Sequence, residues 1–105
     1  MLTAMLLLTG CEPSSLDSGD CADDVPTYAD WGAGFFANYC RSCHSAESPS
    51  RFGAPEGVDF DTQAEIRAQA AGIARTVLEE GSMPVGGGVP EAELAALERY
   101  LGCAP

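Results

Sequence analysis

The chain contains no lysine, and its five arginines stand against sixteen aspartates and glutamates, for a formal charge of -11. A surface so short of cations repels phosphate backbones and anionic lipid headgroups. Nucleic-acid binding is thereby excluded, and a charged docking partner is expected to be basic. The apolar run at residues 1–10 is far too short to span a bilayer as a helix. No strand-like alternation of apolar and polar residues precedes Cys40. A chain of 105 residues has room for one small domain, and its core is modest unless a large apolar group enlarges it.

Against these absences stands one dense cluster, Cys40-Arg41-Ser42-Cys43-His44. Two thiols at this spacing can each add to one vinyl group of a haem, and the imidazole after the second falls under the iron as its proximal ligand. That is the pattern of covalent haem c attachment. Cys-x-x-Cys pairs also serve as disulfide redox centres and as halves of zinc sites. A thioredoxin-like pair needs a strand leading into a helix, for which there is no signal here. A structural zinc site needs four nitrogen or sulfur ligands, and His44 is the only histidine. Haem attachment is the favoured reading.

Residues 1–10 read as a targeting segment, and Leu8-Thr9-Gly10-Cys11 resembles a bacterial lipobox, in which the cysteine becomes the lipid-modified first residue. No Lys or Arg precedes the apolar run, a departure from the usual positive start. The alternative is an ordinary cleaved secretory signal with Cys11 playing no part. Either way the mature domain is exported, and a lipoprotein would sit on the periplasmic side of a bacterial membrane. Residues 11–26, rich in Asp, Glu, Ser, Gly and Pro, read as an acidic flexible tether, leaving 27–105 as the folded domain. With Cys11 lipidated and Cys40 and Cys43 on haem, Cys21 and Cys103 remain, and an oxidising compartment would pair them. The alternative is two free thiols near the ends.

Thr27 is a candidate N-cap with Asp30 in the first turn, and Ala29, Ala33, Phe36 and Cys40 recur at helical spacing up to the cluster. Gly32 and Gly34 weaken this helix and imply close approach of another. Thr62 with Glu65 forms a capping box ahead of Ile66, Ala70, Ile73 and Val77 on one face, with Gly72 a candidate break and Gly81 a candidate C-cap. Pro90 opens a last helix with Glu91 and Glu93 in its first turn, a stripe of Leu94, Leu97 and Leu101, and Arg99 and Gly102 closing it. The fold class expected is all-α.

Gly32 and Phe36 ahead of Cys40, with Leu97 and Tyr100 near the end, resemble the helix pair of small monohaem c-type cytochromes of class I. The resemblance covers about residues 27–102. It implies three to four helices packed around one covalently bound haem. It further implies that a proline carbonyl in the loop after the histidine accepts its far ring proton, and Pro55 stands at that position; plain turn punctuation is the alternative. Arg51 in the same loop is a candidate for a haem propionate, although a solvated arginine is the commoner outcome.

Met83 is the one methionine beyond the targeting segment, and it lies beside Pro84 in a loop. It resembles the family's distal thioether ligand, with departures at Val85, where many members have a second proline, and in Gly86-Gly87-Gly88. An exchangeable sixth position is the alternative. Glu79-Glu80 and the Glu91/Glu93 pair read as solvated helix ends, and the glycine triplet lacks the lysine of a phosphate loop. The resemblance therefore implies an electron carrier with no substrate-turnover site and no small-molecule substrate, probing redox partners as a monomer. Two rivals remain open: a haem-based ligand-binding or sensor module with displaceable Met83, and a non-haem thiol-disulfide protein using Cys40 and Cys43.

Overall fold

The computed structural model describes Cys21, residues 25–103 and Pro105. The targeting segment at 1–10, the lipidation candidate Cys11 and most of the tether at 11–26 lie outside the described residues. Among the described residues the secondary structure is helical, without strands, so the fold is all-α. None of these helices is long and apolar enough to cross a membrane.

The chain enters through Thr27, whose hydroxyl accepts from the Asp30 amide at 3.1 Å while the Asp30 carboxylate accepts from the Thr27 amide at 2.9 Å. This reciprocal cap starts a wide π-helical turn, Tyr28–Gly32, that runs on into α1, Ala33–Tyr39. A second box, with Thr62 and Glu65, starts α2, Gln63–Ala68. Next come α3, Ala70–Ile73, a π-helical stretch Ala74–Glu79, and the long α4, Glu91–Cys103.

The break in the middle helix falls at Gln69, not at Gly72. Its amide is shared between the Glu65 and Ile66 carbonyls at 3.2 and 3.1 Å, which tightens the turn there. Gly72 stays helical, its carbonyl accepting from the Thr76 hydroxyl at 2.9 Å. Gly81 ends this segment with φ +69°, a conformation favouring glycine, and the Ser82 and Met83 amides then both turn back onto the Thr76 carbonyl.

Phe35, Phe36, Phe60, Ile66, Ile73, Val77, Leu97 and Tyr100 form the core. The buried side of the first helix is Gly32, Phe35 and Phe36, whereas Ala29 is exposed. On α4 the fully buried pair is Leu97 and Tyr100; Leu94 and Leu101 are half-buried beside them. The register follows from size: at Gly32 an added Cβ would lie 3.1 Å from both Cζ and Oη of Tyr100. Only a hydrogen there lets the ring pass over the helix, with Phe36 at 6.3 Å and Trp31 at 5.5 Å between ring centroids. Trp31 also donates through Nε1 to Glu93 Oε1 at 3.2 Å, tying the same crossing from its rim. Gly34 is exposed with open space around it, so close approach explains one glycine and not the other.

Cys21 and Cys103 are disulfide-bonded, with 5.4 Å between their Cα atoms and 82 residues of separation, and α4 runs through Gly102 to reach this link. Closing so long a loop is worth about 4–5 kcal/mol on the chain-entropy account.

Gly32→Ala is expected to destabilise by about 1–3 kcal/mol, because the caged Tyr100 ring has to shift. Gly34→Ala is expected to stabilise by about 0.5–1 kcal/mol, through helix propensity alone. Denaturant unfolding of the two variants measures both, and equal effects would contradict the crossing.

Candidate functional site

The C-terminus of α1 turns sharply at the cysteine-histidine cluster. The Cys40 and Arg41 amides both donate to the Phe36 carbonyl, at 3.0 and 2.9 Å, and the Cys43 and His44 amides both donate to the Cys40 carbonyl, at 3.2 and 2.9 Å. One carbonyl thus closes the turn that carries both thiols and the imidazole. Cys40 and Cys43 are free cysteines, each half-buried. Burial pushes the Cys40 thiol up to about 12, so it is protonated at neutral pH.

His44 is clamped from two directions. Its Nδ1 lies 2.7 Å from the Val58 carbonyl oxygen. A carbonyl only accepts, so Nδ1 carries a proton, and Nε2 is the ring nitrogen left for another partner. The Phe60 amide donates to the His44 carbonyl at 2.8 Å, and the Phe60 ring lies 5.1 Å from the imidazole. The carbonyl facing the imidazole is therefore not that of Pro55. Pro55 and Val58 form a turn, closed by the Val58 amide on the Pro55 carbonyl at 3.2 Å, and it is the last residue of that turn whose oxygen faces His44.

Arg51 holds the loop together from within and is not a solvated side chain. It donates through Nη1 to Ser45 O at 2.8 Å, through Nη2 to Pro55 O at 2.7 Å and Val58 O at 3.3 Å, and through Nε to Ala54 O at 3.3 Å. Asp59 Oδ1 lies 2.7 Å from Nη2. That approach is an ion pair without a directed hydrogen bond to the oxygen.

Asp61 fastens the other side of the turn. Its carboxylate pairs with Arg41 Nε at 3.1 Å and accepts from the Ala46 amide at 2.9 Å. The Ser45 hydroxyl, then the Ala46 amide and Arg41, hold its carboxyl below the usual carboxylate range. Val58, Arg51 and Asp61 were not singled out as supports of His44 by spacing in the sequence. The signal available was a lone arginine and two aspartates in a loop rich in Ser, Gly, Pro and Ala.

Met83 lies on a separate loop, anchored by its amide on Thr76 O at 3.2 Å and followed by a cis peptide to Pro84. Among the described residues the large apolar side chains left exposed are Phe52, Met83 and Val85. All three sit on the loop after the cluster or on the Met83 loop. A cavity of about 520 Å³ beside the cluster is lined by Ala37, Arg41, Ser42, Ser45 and Phe52 among others. A larger groove of about 840 Å³ runs between α3 and α4 over Ala70, Ala74, Leu78, Leu94 and Leu101. Neither is lined by Cys40, Cys43, His44 or Met83.

Among the described residues, the one trio of candidate metal ligands whose donor atoms lie within 4.8 Å of one another is Asp59, Asp61 and Glu65. Those carboxylates already serve Arg51, Arg41 and the cap of α2. Cys40, Cys43 and His44 do not form such a trio among the described residues.

Asp61 has a lowered carboxyl in the folded protein, so its contribution to stability is complete above its unfolded value of about 3.9 and is lost as pH falls through the lower folded value. In acid titrations followed by circular dichroism, Asp61→Asn is expected to be less stable than wild type at neutral pH and to lose less on going below about pH 4. Parallel acid curves for the two proteins would contradict the role given to this carboxylate. Comparison of the chain with protein-family models, curated proteins and solved structures returned no match, so its chemistry rests on its own residues.

Proposed function

We propose that the protein is a monohaem c-type cytochrome that carries single electrons between redox proteins, tethered by lipid on Cys11 at the periplasmic side of a bacterial membrane. The observation that carries this reading is the turn closed by the Cys40 carbonyl, with two unpaired thiols and an imidazole fixed through Nδ1. The donor set fits the group: Cys40 and Cys43 would bond it covalently, and His44 Nε2 and the Met83 thioether would bind its iron. The apolar side chains exposed on the two ligand-bearing loops suit a large apolar occupant.

Bound there, a haem supplies a one-electron iron couple whose potential thioether ligation and burial raise. The chain's own residues do the rest. Val58 holds the imidazole in one tautomer and orientation, and Asp61 with Arg41 fixes the turn on which the thiols stand. The acidic surface favours encounter with a basic partner.

Half-exposed Met83, on a loop with three glycines at positive φ, favours a second reading in which the thioether is displaceable and the protein binds a small ligand. Natively exported protein is expected to stain for covalent haem, to give a pyridine haemochrome, and to show one added porphyrin mass. Absence of that mass overturns the proposal. In the carrier, Met83→Ala is expected to abolish the red charge-transfer absorption of the ferric protein; ready carbon monoxide binding by reduced wild type would favour the ligand-binding reading instead.

A further inference from the structure

We propose that Arg51 is a positioning residue for His44, setting the donor strength of the imidazole through the carbonyl oxygen of Val58 that the two side chains share. The inference rests on the assignment of His44 as the haem's proximal ligand. Residues 45–58 form a run of turns without a helix or strand of their own, closed by the Ser48 amide on Ser45 O, Ala54 on Arg51 O and Val58 on Pro55 O. A single guanidinium spans that run, bonding Ser45 O at its start and Val58 O at its end. The planar fork of arginine can serve several carbonyls at once, which the point charge of lysine cannot do with the same geometry.

Val58 O accepts from His44 Nδ1 at 2.7 Å and from Arg51 Nη2 at 3.3 Å. A carbonyl has two lone pairs and can serve both donors. The cation draws electron density from this oxygen and makes it a weaker acceptor for the imidazole proton. The imidazole then has less imidazolate character, Nε2 is a poorer donor, and the ferrous state is favoured. Asp59, 2.7 Å from the same guanidinium and largely shielded from solvent, opposes this by compensating the charge. Arg51 and Asp59 therefore act on the potential with opposite signs, although loss of either loosens the same loop.

The test uses haem-bearing, natively exported protein. The midpoint potential, the resonance of the His44 Nδ1 proton in the reduced state, and thermal unfolding are measured for Arg51→Gln, Arg51→Lys and Asp59→Asn. Arg51→Gln is expected to lower the potential and shift the proton resonance, Arg51→Lys to restore the potential in part, and Asp59→Asn to raise it. Should Arg51→Gln fail to fold, Asp59→Asn, which retains the guanidinium, still decides the sign. Potentials that move in the same direction in the Gln and Asn variants, or stay fixed while unfolding temperatures fall, reduce Arg51 to a loop staple and overturn the inference alone. Wild-type protein without covalent haem overturns the functional proposal, and this one with it.

Discussion

The passage of the Tyr100 ring over Gly32 is the contact from which the rest of the arrangement follows. It fixes how deeply α4 sinks against the first helix, and the register of that helix then sets where it ends. The cysteine-histidine turn hangs directly on that end through the Phe36 carbonyl, and Phe36 is itself buried beside Tyr100. Full burial of Phe36, Ile66 and Leu97 contributes about 1.5–3 kcal/mol each. The apolar crossing thus holds the polar turn in place, and the chemistry of the turn does not have to.

Around the turn the order is polar. In a chain with five arginines and a large acidic excess, two of the five lie in ion pairs next to the cluster, Arg41 with Asp61 and Arg51 with Asp59. The partly exposed Arg41–Asp61 pair contributes little by its charge alone, and the shielded Arg51–Asp59 pair offsets its gain with desolvation. Their value here is directional. Arg51 converts four loop carbonyls into one object, and Asp61 joins the segment after Phe60 to both sides of the motif.

Much of the helical frame was legible in the sequence because its signals are local. The Thr27 cap, which proves to be a full capping box with Asp30, and the Thr62 box stand where expected, and Gly81 takes the left-handed turn expected of it. The misplaced features depend on packing between helices or on the geometry of single turns, neither of which periodicity reports. Leu94 and Leu101 share a stripe with Leu97 but stay half-buried, and the fully buried pair is Leu97 with Tyr100, the two the resemblance named, because Gly32 leaves room for the Tyr100 ring. Gln69 breaks the middle helix where helix propensity alone favours Gly72. Pro55 is three residues from the carbonyl that faces His44, since turn geometry moves the contact to the end of the Pro55–Val58 turn. The motif was legible as chemistry, while the arginine sustaining its histidine was not, because no periodicity announces a side chain that bonds main-chain oxygens.

The bond between Cys21 and the last helical residue, Cys103, gives the folded unit a mechanical character. Tension applied along the amino-terminal lead is delivered at Cys21 to the final turn of α4, bypassing the first helix. The domain between them is loaded as a closed ring: pulling at Cys21 cannot peel it from its leading end, and cutting one peptide bond inside the ring leaves both fragments joined.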